Sequence, residues 1–586
     1  MMTSRPPAEI WSVDTEWGFR GGCLDHESAW EPVVLCLVGL RSGRRLHFWG
    51  GDPRLPAFFR DHADDLFVAH YAVAEMKYLA RLGVPIPANW FDTFVAWRYS
   101  TNRPKHLEAG LSVALHRLGL PGLAPSAKKA LQQKILELRF DLDDAGDRRE
   151  IVDYCFTDCD GCAALYNRLR DAIRPEVMGH WAEYLKAVSR MELRGIPFDV
   201  AGHDEIVANK SVIREALAAD VNRTWPIIRD QSLQKGAFLA WCGSVGIDWP
   251  ATISTATGKP YFSFSKEVMK DMEARHPFIA EVRQVVKTLK QLGNRSLAVD
   301  PATRRHYFST SAFRSVTGRN QPRHFMFSGP KWLRFLITPE SPDHVLVYVD
   351  YTAQEVGIAA ALSGDPVMRA VYEASDCHMA FAVRAGAAPA GATNDTHGEV
   401  RKRFKTVNLG VLFGQTEHGI SARLGITHRE AAAILQDHRA LFPNFWRWSE
   451  RIVQGSFDRG WIVTPCGWRS RVPRASNERT WMNWPMQATG GDIMRLTVTY
   501  LDRQGVRILA PVHDGFLLSC RRDQLADLRA AVDYACRTAV EHVLPGFPLR
   551  WDFTEYDGGR FEDKDGRPLW NRLHDIIGEA GHARPA

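Results

Sequence analysis

Two short apolar segments, each with an aspartate beside the end of a predicted strand, constrain the fold of this chain more than any other feature. One is HVLVYVDY, residues 344–351, which has the pattern of a strand and places Asp350 near its end. The other is RILAPVHDGFLLSC, residues 507–520, which has the pattern of a strand pair with Asp514 at the turn. A carboxylate at the end of a buried strand packs poorly, but it can hold a hard cation such as Mg²⁺. Two such aspartates could share a pair of ions in a phosphoryl transfer, although aspartate is also a common turn residue.

Between these segments lies HGEVRKRFKTVNLGVLFG, which has a helical spacing of functional side chains. Arg401, Lys405 and Leu409 recur every four residues and share one helix face, cationic near its start and apolar further along. That face could hold a triphosphate and then a sugar. An amphipathic surface helix is the alternative, but Gly410 and Gly414 each cost a helix about 1 kcal/mol relative to alanine. The two glycines indicate the close approach of a ligand or of another backbone.

The charge of the chain is modest in sum and uneven in distribution. With 74 Lys+Arg and 68 Asp+Glu, the 586 residues carry a formal charge of +6, and this length predicts more than one domain. The stretch from Arg283 to Arg334, called the basic segment below, has eleven Lys/Arg and a single acid, Asp300, which leaves −4 for the remainder. Aromatic and hydroxyl side chains are interleaved with these cations, a mixture that binds a phosphate backbone. The near absence of compensating acids favours nucleic acid as the partner over the alternative, a solvated basic face.

Composition excludes several other classes of protein. Hydrophobic residues make up 45% and charged residues 24%, close to the average for globular proteins and far from disordered chains. No run of about 18 uncharged apolar residues occurs and the start lacks a signal-peptide pattern, so a cytoplasmic protein is predicted. Ten cysteines in a chain this long do not indicate a disulfide framework. The densest, Cys155, Cys159 and Cys162, share a helix face and are predicted to be buried apolar residues rather than zinc ligands.

The N-terminal part has the pattern of an α/β unit that ends near residue 175. The strand-like runs IWSVDTEW, EPVVLCLVGL and RRLHFWG come first, and helical patterns such as FVAHYAVAEMKYLARLG follow. Asp14 and Glu16 are two residues apart on the first strand, so both carboxylates point to one face. Tyr154 and Asp158 lie in YCFTD on a later helix. Asp-x-Glu alone is usually a solvated strand edge. Here a Tyr-x-x-x-Asp motif follows at a distance in sequence typical of one domain, and this pairing favours a functional site.

Four motifs in order give about residues 180–560 a resemblance to the family A DNA polymerases of the bacterial DNA polymerase I type. VDYTAQEVGIAAALSGD resembles the first palm motif, RKRFKTVNLGVLFG the fingers helix and PVHDGFLL the second palm motif. RTWMNWPMQATGGD, residues 479–492, resembles a block that contacts template and primer. The resemblance implies an α+β right-hand polymerase with palm, fingers and thumb, preceded by an α/β RNase H-like exonuclease domain.

The resemblance also implies a role for each motif residue. Asp350 and Asp514 would hold two Mg²⁺, with Mn²⁺ as a substitute, while dNTPs are added to the 3′ end of primer-template DNA. Lys405 would donate a proton to the leaving pyrophosphate. The implied dNTP-binding residues are Arg401, Lys405, Leu409, Phe413, Glu355 and Tyr351. The implied DNA-binding residues are Arg319, Arg479, Asn483, Gln487 and His513.

The N-terminal unit resembles the DEDD-type 3′-5′ exonuclease domain that accompanies such polymerases. There, two metals activate a water against the terminal phosphodiester, and Tyr154 would orient that water. The implied catalytic residues are Asp14, Glu16, Tyr154 and Asp158, of which the three acids would be metal ligands. Where the family has a further aspartate, VAHYAVAEMKYL offers Glu75, one methylene longer, as an additional candidate ligand. Asp92, in WFDTFVAW, is predicted to be structural.

Domain boundaries and biological setting follow from the same resemblance. The exonuclease-like domain is expected over residues 1–175 and the thumb with its primer-template-binding segment over 176–330. The palm is expected over 331–395 and 466–586, and the fingers over 396–465. The start leaves no room for a separate 5′ nuclease domain, which predicts phage-type DNA replication by a monomer, with replisome proteins as a further class of partner.

Three departures from the family's pattern carry their own expectations. Leu409 replaces an aromatic residue against the incoming sugar, and Phe413 lacks the tyrosine hydroxyl that normally bonds the gate glutamate, here Glu355. We therefore expect sugar discrimination and incorporation rate to differ from the common pattern. Gly515 replaces a supporting acid after Asp514. The alternatives are a nuclease with a decayed polymerase half, a non-catalytic primer-template-binding subunit, and an RNA polymerase, which Glu355 opposes.

Overall fold

The computed structural model describes residues 7–22, 27–102, 110–122, 125–230, 232–253, 258–264, 266–276, 278–293, 299–374 and 376–582. Arg295 of the basic segment lies outside these ranges. Across the described ranges, the helices are all too short or too polar to cross a membrane.

The N-terminal part folds around a five-stranded sheet. Its strands are β1 (Ile10–Phe19), β2 (Trp30–Gly39), β3 (Arg45–Trp49), β4 (Leu66–Ala69) and β5 (Asn89–Asp92). Its helices are α1 (Leu55–Asp61), α2 (Val73–Arg81), α3 (Thr93–Thr101), α4 (Leu111–Leu118), α5 (Pro125–Leu136) and α6 (Ala145–Leu169). The strand order is β3-β2-β1-β4-β5, with β1 antiparallel to β2 and parallel to β4. The central strand is thus the one that carries Asp14 and Glu16.

The segment FVAHYAVAEMKYLARLG, predicted as a helix, is a strand followed by a helix. Phe67, Val68 and Ala69 are fully buried in β4, which pairs in parallel with both β1 and β5. A strand buried on both faces has a continuous apolar run, which periodicity cannot distinguish from a buried helix. The helix α2 begins only at Val73, after a turn in which Tyr71 has a φ of 70°.

The middle of the chain is mainly helical, with short strand pairs between the helices. Its helices are α7 (Pro175–Arg194), α8 (Val200–Ala208), α9 (Lys210–Thr224), α10 (Lys235–Ser244), α11 (Lys266–Arg275) and α12 (Phe278–Gly293). Its strands are β6 (Ile196–Pro197), β7 (Ile228–Arg229), β8 (Ser232–Leu233), β9 (Ala251–Ile253), β10 (Pro260–Phe262), β11 (Val299–Asp300) and β12 (Arg305–His306). Apolar side chains from these helices form a core of their own, which includes Ile213, Phe238 and Val282.

The C-terminal part is built on an antiparallel four-stranded sheet. Its strands, together with a separate pair, are β13 (His344–Tyr351), β14 (Trp461–Val463), β15 (Arg469–Arg471), β16 (Arg507–Val512), β17 (Gly515–Arg521) and β18 (Trp551–Tyr556). The helices are α13 (Gln354–Ser363), α14 (Pro366–Glu373), α15 (Cys377–Arg384), α16 (Asn394–Leu412), α17 (Glu417–Leu424), α18 (His428–Leu441), α19 (Pro443–Arg459), α20 (Glu478–Arg503), α21 (Leu525–Val543) and α22 (Arg567–His582). The strand order is β16-β17-β13-β18, so the predicted strand 344–351 lies inside the sheet.

The two faces of this sheet meet different cores. Val345, Val347 and Val349 of β13 belong to the core that contains α20 and α21, whereas Leu346 and Tyr348 pack in the core of the middle region. Because side chains alternate along a strand, Asp350 shares the face of Leu346 and Tyr348. The candidate metal ligand therefore faces the side of the sheet on which the middle region packs.

The last helix contacts a range that was predicted as a different domain. The range 466–586 was predicted as palm, but α22 packs against α9 of the predicted thumb range. Leu573 shares a core with Leu217, and Arg572 Nε lies 2.8 Å from Asp220 Oδ2.

Candidate active sites

The four-stranded sheet brings Asp350 and Asp514 together at one edge. Asp350 lies near the end of β13 and pairs with Gly515 of β17 in the strand register. Asp514 occupies the turn between β16 and β17, and its backbone carbonyl accepts a hydrogen bond from the backbone N–H of Tyr351 at 3.3 Å. Sequence order separates the two aspartates widely, and the sheet makes them neighbours.

A third carboxylate, Asp552, lies on the other side of Asp350, and the sequence analysis missed it. The register of β13 and β18 pairs Asp350 with Asp552, and directly opposed residues have Cβ atoms about 4.5–5.5 Å apart. The segment WDFTEY does alternate as a half-exposed strand should. Its position opposite Asp350 depends on a long-range register that alternation cannot give.

The surroundings of Asp350 favour a bound cation. Burial, followed by the like charges of Asp514 and Asp552, raises the pKa of Asp350 to about 6. A carboxylate that is desolvated among like charges is stabilised in its ionised form by a nearby cation. The donor atoms are all carboxylate oxygens, the ligands that Mg²⁺ prefers. These residues therefore fit the implied metal.

Arg319 connects this edge to two helices. Its Nη2 lies 3.1 Å from Asp514 Oδ1, and its Nε donates to the carbonyl of Gln487 at 2.8 Å. The path of Arg319 across α20 requires small residues, because a Cβ at Gly490 would lie 2.7 Å from Arg319 Nη2. The glycine pair in ATGGD is thus a packing feature that lets an arginine reach the carboxylates.

Glu355 has a partner in place of the missing tyrosine hydroxyl. Burial, followed by the charge of Asp514, raises the pKa of Glu355, and the side-chain amide of Gln487 donates a hydrogen bond to its Oε1. Gln487, implied as a DNA-binding residue, therefore satisfies the carboxylate that Phe413 cannot. The ring of Phe413 is 42% exposed.

The side chain of Tyr351 does not line the site. It is 2% exposed, and its hydroxyl is 2.7 Å from Thr497 Oγ1. Adjacent residues of a strand point to opposite faces, so Tyr351 faces the helices while Asp350 faces the site. Only the backbone of Tyr351 lies at the site, so the dNTP-binding role implied for this residue falls to its backbone.

Helix α16 carries the predicted cationic face, with a counter-ion that the sequence analysis missed. Arg401 forms an ion pair with Asp376, which also caps the start of α15. Lys405, one turn further along, is exposed. Leu409 follows on the same face and is half-buried. The arginine is therefore held in place, while the lysine extends into solvent.

The glycines of this helix make room for protein rather than for a ligand. A Cβ at Gly410 would lie 2.4 Å from Gln415 Oε1. Gly414 has a φ of 68°, and a Cβ there would lie 3.1 Å from the Cα of Arg479. The close approach predicted from the sequence exists, and it is made by a side chain and by the start of α20.

The implied DNA-binding residues lie on α20, on the β16–β17 turn and, in the case of Arg319, between β12 and β13. Arg479, Asn483 and Gln487 recur every four residues on α20 and share one face. Arg479 is exposed, and His513 occupies the turn beside Asp514 with a φ of 56°. Arg319 and His513 both line a cavity of about 140 Å³ beside Gly490.

Position 515 has no room for the acid that the family's pattern expects. A Cβ at Gly515 would lie 2.3 Å from the carbonyl oxygen of Val349 and 2.8 Å from the Tyr348 hydroxyl. That hydroxyl donates to the carbonyl of Val512 at 3.3 Å. Tyr348 therefore fills the space beside Asp350 on the β17 side, and the extra carboxylate of this site, Asp552, lies on the β18 side.

Acids from other segments compensate much of the basic segment. Arg305 Nη2 lies 2.6 Å from Glu340 Oε1, and Arg319 pairs with Asp514 as described. Arg283, Lys331 and Arg334 form ion pairs with Glu273, Asp565 and Asp563. The count of acids inside the segment does not show this compensation, because the partners lie outside the segment in sequence and close to it in the fold.

A second group of carboxylates forms on the N-terminal sheet. Asp14 and Glu16 lie on β1, Tyr154 and Asp158 on α6, and Glu75 on α2. The Ser12 hydroxyl donates to the carbonyl of Cys159 at 2.6 Å and ties α6 to β1. The fold thus assembles all five predicted residues from three elements.

Burial dominates the electrostatics of this group. Burial, followed by the charge of Asp158, raises the pKa of Asp14 to about 7, and burial followed by Asp14 raises the pKa of both Glu16 and Glu75. The buried atoms Asp14 Oδ2 and Glu75 Oε2 accept no hydrogen bond from the described residues. Unpaired buried carboxylate oxygens are costly without a cation, so the group fits a divalent metal.

The cysteines have the buried role predicted for them, with one addition. Cys155, Cys159 and Cys162 are fully buried. A ligand atom of Cys155 nevertheless lies within 4.8 Å of those of Asp14 and Glu16. Burial raises the pKa of the Cys155 thiol, which keeps it protonated and makes it a poor ligand.

Lys128 of α5 is a charged member of this site that the sequence analysis missed. Its Nζ lies 2.5 Å from Asp158 Oδ2 and 5.7 Å from the centroid of the Tyr154 ring. Asp92, in contrast, has the structural role predicted for it, because its carboxylate accepts hydrogen bonds from the backbone of α3 and from Ala72 at 2.9 Å. Helical periodicity identifies α5 but cannot show that one of its lysines reaches a residue on α6.

Comparison with known proteins identifies relatives of the C-terminal part. A sequence model of DNA polymerase family A matches residues 247–552. The chain is similar to the thermostable DNA polymerase I of Thermus thermophilus, at 31% identity over 214 residues, which are 34% of this chain and 25% of that protein. It is also similar to DNA polymerase I of Lactococcus lactis, at 26% identity over 322 residues, which are 50% of this chain and 36% of that protein. The chain thus spans well under two thirds of either relative.

Among solved structures, the fold is similar to the POL domain of Pol1 from M. smegmatis, determined in complex with DNA primer-template and dNTP. The TM-score is 0.73 over 94% of this chain and 95% of that chain, at 18% sequence identity. At this identity the likeness is one of fold. The family match, in contrast, covers more than half of the 586 residues, including Asp350, Arg401 and Asp514, and it shows that the chain belongs to DNA polymerase family A.

Proposed function

We propose that this chain is a DNA-directed DNA polymerase that adds deoxynucleotides to a primer 3′ end. The observation that carries the proposal is the meeting of Asp350 and Asp514 at one sheet edge, inside the stretch that matches the family. The structural neighbour was solved with primer-template DNA and dNTP, which supports the same two substrates for this fold. The cationic face of α16 supplies binding groups for a triphosphate.

Each residue of the polymerase site has a separate role in phosphoryl transfer. Mg²⁺ held by Asp350 and Asp514 would activate the primer 3′-hydroxyl and neutralise the triphosphate. Arg401, oriented by Asp376, binds the β and γ phosphates with Lys405, and Lys405 donates a proton to the departing pyrophosphate.

Sugar selection and primer-template binding fall to neighbouring groups. Glu355, held by the Gln487 amide, forms the floor beneath the sugar and excludes a 2′-hydroxyl. Arg319 keeps Asp514 in position. The exposed residues of α20 and exposed cations of the basic segment, among them Arg304, Arg314 and Arg323, contact the phosphate backbone of the primer-template.

A 3′-5′ exonuclease is the second proposed activity, and the five residues assembled on the N-terminal sheet support it. Water attacks the terminal phosphodiester, the bond from phosphorus to the 3′ oxygen breaks, and a nucleoside monophosphate leaves while the shortened strand gains a 3′-hydroxyl. Asp14, Glu16 and Asp158 supply the carboxylates of the site, and Tyr154 orients the water. Glu75, which is 4% exposed, lies at the back of this site.

Primer extension on a matched and a mismatched primer tests both activities. The wild type is expected to extend the matched primer with dNTPs and Mg²⁺ and to shorten the mismatched one before extending it. Asp514→Asn should lose extension and keep shortening. Metal-dependent synthesis in neither protein would leave a DNA-binding subunit or a nuclease as the function. Incorporation of NTPs as fast as dNTPs would indicate an RNA polymerase. Phage-type replication and replisome partners stay predictions.

A further inference from the structure

The exonuclease-like site already contains one cation that belongs to the chain. The ammonium of Lys128 is in contact with the Asp158 carboxylate, and these side chains are only 19% and 11% exposed. The positive charge of Lys128 also acts on Asp14 and Glu16, in the direction that stabilises their ionised forms. Lys128 therefore lies within electrostatic reach of the three carboxylates that the proposed exonuclease needs.

The oxygens of this site divide into two sets. Asp158 is matched by Lys128, whereas Asp14 Oδ2 and Glu75 Oε2 are buried without a hydrogen-bond donor among the described residues. The ligand atoms of Asp14 and Glu16 lie within 4.8 Å of each other, close enough to share one ion. Asp14 Oδ2 and Glu75 Oε2 therefore lack a partner that an external cation can provide, whereas Asp158 already has one in Lys128.

Two positive charges are the usual requirement for an in-line displacement at phosphorus, one beside the attacking oxygen and one beside the leaving oxygen. We propose that this site binds a single divalent cation, on Asp14 and Glu16, and that the Lys128 ammonium supplies the second positive charge beside Asp158. The inference rests on the proposed exonuclease function. Lys128 would stabilise negative charge on the reacting phosphate, and this role requires no further co-reactant.

Counting Mn²⁺ ions tests the inference without relying on activity. The polymerase carboxylates would also bind Mn²⁺, so every protein in the test carries Asp350→Asn and Asp514→Asn. In this background, titration followed by electron paramagnetic resonance of free Mn²⁺ should give one bound ion with Lys128 present. Lys128→Met should bind a second ion, because Asp158 becomes available as a ligand. Lys128→Arg keeps the charge and should bind one.

Two further variants provide controls for the titration. Lys129→Met removes the adjacent, exposed lysine of the same helix and should leave one ion bound. Asp14→Asn combined with Glu16→Gln should bind none. Two ions in the protein that retains Lys128, or an unchanged count in Lys128→Met, would overturn the inference.

Cleavage of a mismatched primer separates this inference from the function on which it rests. The cleavage rate of the wild type should be first order in Mn²⁺ below saturation, and that of Lys128→Met second order. One bound ion without any cleavage would retain the role of Lys128 in the cation site and reject the exonuclease function. Cleavage with two ions bound to the wild type would retain the exonuclease and reject the role of Lys128.

Discussion

The two carboxylate sites use the same ligand type in opposite surroundings. At the sheet edge of the C-terminal part, Asp514 is 28% exposed in its side chain and Asp552 is exposed, so the site is open to a large substrate. On the N-terminal sheet, Glu16 and Glu75 are 8% and 4% exposed, so the site is enclosed. Burial raises the pKa of the central aspartate in both, to about 6 for Asp350 and about 7 for Asp14.

The difference lies in how each site obtains positive charge from the chain. Arg319 reaches Asp514 from a distant segment and is itself tied to α20. Lys128 reaches Asp158 from α5, in a site where the neighbouring oxygens stay unpaired. Local motifs therefore contain the ligands, whereas the counter-charges that tune them come from elsewhere in the fold.

The largest expected effect is a clean separation of the two activities. Asp350→Asn removes a metal ligand from the open site and should reduce primer extension about 10³-fold or more, because the lost stabilisation is several kcal/mol. Shortening of a mismatched primer should persist. Asp14→Asn should give the reverse pattern, measured by gel assays of both activities on one labelled primer. Loss of both activities in either variant would contradict two independent sites.

The second effect tests Arg319, the counter-charge of the open site that Asp350 and Asp514 form. Arg319→Ala leaves Asp514 without its ion pair and should lower kcat/KM for extension about 10²-fold, since charge-assisted hydrogen bonds contribute about 1.5–3 kcal/mol each. Steady-state kinetics with varied dNTP measures the change. Arg537→Ala, an exposed arginine of α21, is the matched control and should retain the wild-type value. An equal loss in the control would point to a general effect on stability.

The third effect tests which residue supports the sugar gate. Glu355 is bonded to Gln487 rather than to a hydroxyl at position 413, so Gln487→Ala should weaken discrimination against ribonucleotides about tenfold. Phe413→Tyr should change it by no more than about twofold, because Glu355 already has a donor. Competition between dNTP and rNTP measures both. A larger change in ribonucleotide discrimination in Phe413→Tyr would mean that a tyrosine hydroxyl at position 413 does support Glu355.

Sequence could predict the parts of this molecule that are local. The strand 344–351, the Asp-x-Glu pair on β1 and the periodic face of α16 are all readable from spacing and match the elements observed. Residues whose role depends on long-range pairing were missed, and these are Lys128, Asp376 and Asp552. The side-chain direction of Tyr351 was not predicted, because a motif match does not specify the face of the strand. Long-range register and packing decide each of these cases.

The smallest effect concerns Asp552 and the pH dependence of extension. Extension needs an ionised Asp350, whose pKa is about 6 without metal and lower beside Mg²⁺, so the extension rate should fall at acidic pH, with a midpoint below 6. Asp552→Asn removes a like charge that raises this pKa. The acidic limb of the pH–rate profile should therefore move to lower pH. The shift should be small, roughly 0.3–0.6 unit, because an exposed charge about 5 Å away is screened by water.

Single-turnover extension at fixed Mg²⁺ between pH 5 and pH 8 measures this shift. The matched control is Glu555→Gln on the same strand, because Glu555 is three residues from Asp552 and lies on the opposite face of the sheet, paired with Arg529. It should leave the acidic limb in place. A shift to higher pH in Asp552→Asn would mean that Asp552 helps to hold the cation instead of only repelling Asp350, since loss of a ligand lets protons compete better for the remaining carboxylates. The direction of the shift thus decides whether the open site has two working carboxylates or three.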